Sequence, residues 1–126
     1  MSNEIWVVVE HGKGEVRPVT RELLARAKDM TAQSGGKVVA LTLAKDAAPI
    51  AAQLGGLGCD EAVCVSDPEL ERYRPRPFVE ASGAVIRKRS PAAVLVGATT
   101  NGREFAAMLA AHLGVGIGSD CLEVEW

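Results

Sequence analysis

The chain is poor in aromatic residues: five in 126, or 4%. Its core must therefore be built from Val, Leu, Ile and Ala. It has three cysteines, Cys59, Cys64 and Cys121, with no CxxC pair and no metal-ligand spacing. The odd count argues for reduced thiols, buried or half-buried, in a cytoplasm-like compartment. No apolar run approaches the roughly 20 residues needed to span a bilayer. There is no basic stripe either. The formal charge is −2 and the pI about 5.7, which excludes phosphate-backbone binding of nucleic acid. The one dense basic run, Arg87-Lys88-Arg89, falls at the end of an expected helix, where cations suit the dipole. Only two histidines occur, His11 and His112, and neither has an evident carboxylate or cysteine partner. No catalytic constellation is apparent. The start, Met1-Ser2-Asn3-Glu4, is polar and runs straight into a strand, so no signal peptide is expected.

What is present is a 48% apolar composition, arranged as alternating strands and helices. Ile5 to Glu10 (IWVVVE) is continuously apolar and reads as a central strand covered on both faces. His11 to Pro18 reads as a Gly-rich turn. Gly12-Lys13-Gly14 lacks the third glycine of a dinucleotide fingerprint, because Arg17 stands there. Thr20 is the expected N-cap of a helix reaching Ser34 and closed by Gly35-Gly36. Lys37 to Leu43 is a second strand. A short helix over 47–54 and a third strand, Glu61 to Ser66, follow, with Cys64 as a core or sheet-face residue. Pro75 and Pro77 bracket the start of a helix over 78–90, with Phe78, Ala81, Val85 and Ile86 on its apolar side. Leu122, Val124 and Trp126 alternate with Glu123 and Glu125 as a last, half-exposed strand. The alternation predicts one α/β domain over 1–126, with a doubly wound, mainly parallel five-stranded sheet.

The most informative stretch is PAAVLVGATTNGREFAAMLAAHLGVGIG, Pro91 to Gly118. Ala92 to Val96 is a buried strand. A polar turn follows, and then a helix from Arg103 to Leu113 with Phe105, Met108, Leu109, His112 and Leu113 on one face. His112 reads as a core or interface histidine. In open α/β sheets, ligands bind where a strand's carboxyl end meets a helix N-terminus. Asn101 and Glu104 have capping-box spacing. Thr99 and Thr100 offer hydroxyls, Gly102 allows close approach, and Arg103 supplies a forked donor. This set either holds a nucleotide or other anion, or caps the helix and contacts a neighbouring domain. His11, at the end of the first strand, either faces the same crevice or lies in solvent. Gly114-x-Gly116-x-Gly118 follows a helix, the wrong context for a dinucleotide loop.

VVVEH, EVRPVTRELLARAKDM and GATTNGREFAAMLAAHLGVGIGSDC resemble the N-terminal domain of the electron transfer flavoprotein α subunit. The likeness covers essentially the whole chain and is most specific in Gly97 to Cys121. It implies an adenine-nucleotide α-hydrolase-like (Rossmann-like) sheet with strand order 3-2-1-4-5. It implies a subunit that pairs with a β subunit in an FAD-bearing heterodimer, carrying electrons from acyl-CoA or other flavoprotein dehydrogenases toward the respiratory chain. The family's turn carries over to Gly97, Thr99, Gly102 and Arg103. Met108 and His112 stand where arginines are common in the family. The main FAD-binding domain lies after this region, so residues 1–126 are expected to be a fragment without catalytic residues and without tightly bound FAD. The setting implied is bacterial cytoplasm or mitochondrial matrix. The alternative is a stand-alone adenine-nucleotide-binding module of universal-stress type.

Overall fold

The computed structural model describes residues 2–117 and 123–125. Its centre is a six-stranded sheet. In chain order the strands of the molecule are β1 (Ile5–Val8), β2 (His11–Gly12), β3 (Glu15–Val16), β4 (Val38–Ala44), β5 (Glu61–Ser66), β6 (Ala93–Leu95), β7 (Gly116–Ile117) and β8 (Glu123–Glu125). The helices are α1 (Pro18–Ser34), α2 (Ala48–Ala51), α3 (Pro75–Arg89) and α4 (Thr100–Leu113), with short 3₁₀ turns at Ala52–Leu54 and Pro68–Leu70.

The sheet order is β5-β4-β1-β6-β8-β7. The five expected strands thus lie in the expected order. β5, β4, β1 and β6 are parallel, whereas β8 runs antiparallel to β6. The sheet departs from expectation in a sixth strand, β7, which pairs with β8 at the edge. Leu122 and Trp126, the outer members of the expected last strand, lie outside the described residues, as do Gly118 and Cys121.

Side-chain alternation along the parallel strands splits the core into two layers. Ile5, Val7, Val38, Ala40 and Leu95 face α1 and α2, meeting Leu23, Leu24 and Ala27. Trp6, Val39, Leu41, Val94 and Val96 face α3 and α4, meeting Val79, Ile86, Phe105 and Leu109. Both faces of β1 and β4 are therefore dry, as their continuous apolar runs require. At the edge this fails. On β5, Ala62, Cys64 and Ser66 are exposed because α2 is too short to cover them. Cys64 is accordingly a sheet-face residue open to solvent, not a core or half-buried one.

Three helix boundaries differ from the sequence reading. α1 begins at Pro18, whose missing N–H suits the first turn. Thr20 is therefore inside the helix and not its cap. α3 begins at Pro75, so both prolines lie in its first turn. Its most buried residues are Val79, Ser82, Gly83 and Ile86, while Phe78, Ala81 and Val85 of the expected apolar side are half-buried and pack against the same core. The small Ser82 and Gly83 let α4 come close: a Cβ on Gly83 would stand 2.6 Å from the His112 ring. α4 starts at Thr100 and buries Gly102, Phe105, Ala106, Leu109 and Ala110. Met108 is 41% exposed. His112 is also exposed, correcting its assignment to the core face; its carbonyl accepts from Arg87 at 2.7 Å.

The basic run after α3 is not simply a solvated terminus. Arg89 donates to Glu61 and to Glu4, both at 2.8 Å, and lies 5.5 Å from the Trp6 ring centre. Glu4 also accepts from the Trp6 indole at 3.0 Å. These contacts tie the start of β1, the start of β5 and the end of α3 together.

Candidate functional site

The carboxyl ends of β1 and β6 are adjacent, because the two strands pair directly. A crevice of about 610 Å³ opens there. It lies where a doubly wound sheet places its ligands, and its size is that of a small-molecule site. Glu10, His11, Thr99, Thr100, Asn101 and Gly102 all line it. The structure therefore brings His11 and the turn to one place. Arg103 does not line the crevice. It is exposed, and its Nε donates to the Ala98 carbonyl at 3.3 Å.

The turn is largely self-satisfied. Thr99, not Asn101, is the N-cap of α4: its Oγ1 accepts the Gly102 N–H at 3.0 Å. The Arg103 N–H goes to the Thr99 carbonyl at 2.8 Å. The Thr99 hydroxyl in turn donates to Glu10 Oε1 at 2.5 Å. Gly102 permits a very close backbone approach, and the partner is the Gly97 carbonyl, 2.0 Å from where a Cβ would sit. Gly97 is needed for the same packing, since its Cβ would meet Val19 at 2.8 Å and Glu10 Oε2 at 3.2 Å. Glu10 Oε2 is buried and has no hydrogen-bond partner among the described residues.

The stretch after β1 is a β-hairpin, not an irregular Gly-rich turn. β2 and β3 pair His11 with Val16 and Gly12 with Glu15. Lys13 (φ 53°) and Gly14 (φ 78°) both have positive φ, as a two-residue type I′ connection requires. The hairpin is held at three points. His11 Nε2 lies 2.8 Å from the Leu43 carbonyl and is its donor. Gln53 accepts from Val16 N–H at 3.0 Å and donates to the Gly14 carbonyl at 2.6 Å. Thr20, fully buried, bridges the Glu10 backbone: its Oγ1 accepts the Glu10 N–H at 2.8 Å and donates to the Glu10 carbonyl at 3.1 Å.

Sequence reasoning missed several further lining residues. Lys13, Arg17 and Lys45 bring positive charge to the hairpin side. Leu70, Tyr73 and Phe78 form an apolar wall, with the Tyr73 and Phe78 rings edge-to-face at 5.2 Å. Burial pushes the Tyr73 phenol well above its ordinary range, and the Glu104 carboxylate adds to the shift. The Tyr73 hydroxyl is buried, and its charged neighbour is the Glu104 carboxylate, outside the crevice. The available signal was the placement of Lys45 and Tyr73 just past the ends of strands two and three. Among the described residues, no group of three His, Cys, Asp or Glu side chains has metal-site geometry, and no helix is long and apolar enough to cross a membrane.

Comparison with known proteins gives a consistent result. The model of the electron transfer flavoprotein domain matches residues 5–126. The electron transfer flavoprotein subunit alpha of Syntrophomonas wolfei is 34% identical, over 95% of this chain and 37% of the relative. The lactate dehydrogenase (NAD(+),ferredoxin) subunit LctC of Acetobacterium woodii is 34% identical, over 96% of this chain and 29% of the relative. The acryloyl-CoA reductase electron transfer subunit beta of Anaerotignum propionicum is 30% identical, over 97% of this chain and 33% of the relative. The chain thus spans about a third of the length of these relatives.

Proposed function

Because the chain belongs to the electron transfer flavoprotein domain family, we propose that residues 1–126 form the N-terminal structural domain of an α-type electron transfer flavoprotein subunit. In this reading the domain packs against a β-type subunit. It supports a heterodimer whose FAD carries electrons from acyl-CoA or other flavoprotein dehydrogenases toward a respiratory acceptor. It contributes no catalytic residues, and it works in the bacterial cytoplasm or, in a eukaryote, the mitochondrial matrix.

The observation that carries the reading is the Glu10 carboxylate set against the cap of α4. A flavin or nucleotide pyrophosphate needs free amides at a helix N-terminus. Here the Gly102 N–H is taken by Thr99, which leaves only the Thr100 and Asn101 amides of the first turn. The Glu10 carboxylate stands against the same hydroxyl and would repel an added anion. In this reading the turn is a poor seat for the FAD pyrophosphate. Thr99 and Gly102 then serve as helix cap and close contact, while Thr100 and the exposed Arg103 present a surface to a neighbouring domain. The same repulsion weighs against the adenine-nucleotide module, whose phosphates would lie at this turn.

Isothermal titration of the chain with FAD tests this. The expected result is no stoichiometric heat in the micromolar range. One-to-one binding with Kd below about 1 μM, or roughly 8 kcal/mol, would overturn it.

A further inference from the structure

The crevice has a second side that the family reading leaves unused. Lys13, Arg17 and Lys45 line it, and none of them forms an ion pair among the described residues. Arg17 is exposed, and its guanidinium lies over Gly12, 2.9 Å from where a Cβ would sit. Lys13 is fixed at the hairpin tip by the turn itself. Facing these cations is the wall of Tyr73 and Phe78, both half-buried. Acidic groups line the crevice too. Glu10 is engaged by Thr99, while Asp46 and Glu71 are exposed at the rim. An anion is thus disfavoured at the α4 end, beside Glu10; Asp46 adjoins Lys45, so the cationic excess is greatest at Lys13 and Arg17.

We propose that the crevice binds a compact organic anion, with its charged head on Lys13, Arg17 and Lys45 and its ring or apolar body on Tyr73 and Phe78. The volume suits such a ligand, as do an apolar wall and a few converging polar groups. Charge on three long side chains gives attraction that salt screens, since the site is open and the Debye length is about 8 Å at physiological ionic strength. This inference goes beyond the scaffold role and stands or falls separately from it, because FAD is not the probe.

Amide-detected NMR titration of the chain tests it, with phenyl phosphate, inorganic phosphate and benzyl alcohol as probes. Phenyl phosphate is expected to shift the resonances of Lys13, Lys45 and Tyr73 saturably. It should bind at least about tenfold tighter than either inorganic phosphate or benzyl alcohol, about 1.4 kcal/mol. The exposed double variant Lys13→Ala/Lys45→Ala should keep the wild-type spectrum elsewhere and lose about tenfold in affinity. Raising the salt should weaken the wild type more than the variant. Absence of saturable shifts, shifts confined to Thr100–Arg103, or equal affinity in the double variant would each overturn the proposal.

Discussion

Replacing Gly102 by alanine probes the turn directly. The added Cβ would stand 2.0 Å from the Gly97 carbonyl oxygen and 2.9 Å from Thr99 Oγ1, far inside the 3.4 Å at which ordinary contact begins. The carbonyl belongs to backbone at the end of β6 and cannot swing aside as a side chain would. The start of α4 must move away. That move breaks the Thr99 cap, about 1 kcal/mol, and strains the packing by about 1–3 kcal/mol. Alanine's better helix propensity returns at most about 1 kcal/mol. The net expectation is a loss of about 2–3 kcal/mol, or a fall in Tm of roughly 10 °C for a domain of this size. Urea unfolding followed by far-UV circular dichroism reads the midpoint. Gly55→Ala is the control. Gly55 has helical φ and ψ and open space around its Cβ position, so that variant should be neutral or gain about 0.4–1 kcal/mol. A Gly102→Ala protein within about 0.5 kcal/mol of wild type would refute the close approach.

The ion-pair cluster makes a pH prediction. Arg89 is the main cause holding the Glu61 carboxyl down to about 2, from an ordinary 4.5, and it also lowers Glu4. A depressed carboxylate stabilises the fold above its unfolded pKa, and that contribution fades as pH falls from about 4.5 toward 2. Arg89→Met should therefore cost about 1–2 kcal/mol at pH 7, discounted for the partial exposure of the pair. It should also flatten the stability profile between pH 5 and pH 3 in urea titrations. An unchanged acid limb would contradict the pairing. Thr20→Val removes a fully buried hydroxyl that serves the Glu10 backbone twice, leaving the Glu10 N–H unpaired. The expected loss is about 1–3 kcal/mol, with faster hydrogen exchange at Glu10 and Arg17, and unchanged exchange there would count against the bridge.

The central strands and the position of the crevice were legible because β1, β4 and β6 are apolar runs buried on both faces, a signal independent of partners. Gly97 and Gly102 were legible as points of close approach, although what approaches is the chain's own carbonyl. The hairpin was not. Its strands are two residues long, too short to show alternation, and its tip is Lys-Gly where Asn-Gly would have announced the turn. Thr20 looked like a cap because Pro18, two residues earlier, fills the first turn without needing one. The buried face of α3 was hidden because Ser82 and Gly83 pack by being small, which hydropathy does not register. His112 and Met108 fell on the wrong face for the matching reason: Ala106 and Ala110 line the interior instead. The Arg89 cluster joins residues 28 and 85 positions apart, and no local pattern encodes that.

The sealed turn and the hairpin together divide labour at this crevice in an unusual way. In many doubly wound sheets the positive end of the site is backbone, and so is fixed by the fold. Here Pro18 has no N–H to give and the Glu10 carboxylate stands against the cap of α4. Positive charge at the opening therefore resides on three exposed side chains. Such a site can be rewritten by one or two substitutions at no cost to folding. The charge of this opening can therefore change with single substitutions that leave the sheet beneath it untouched.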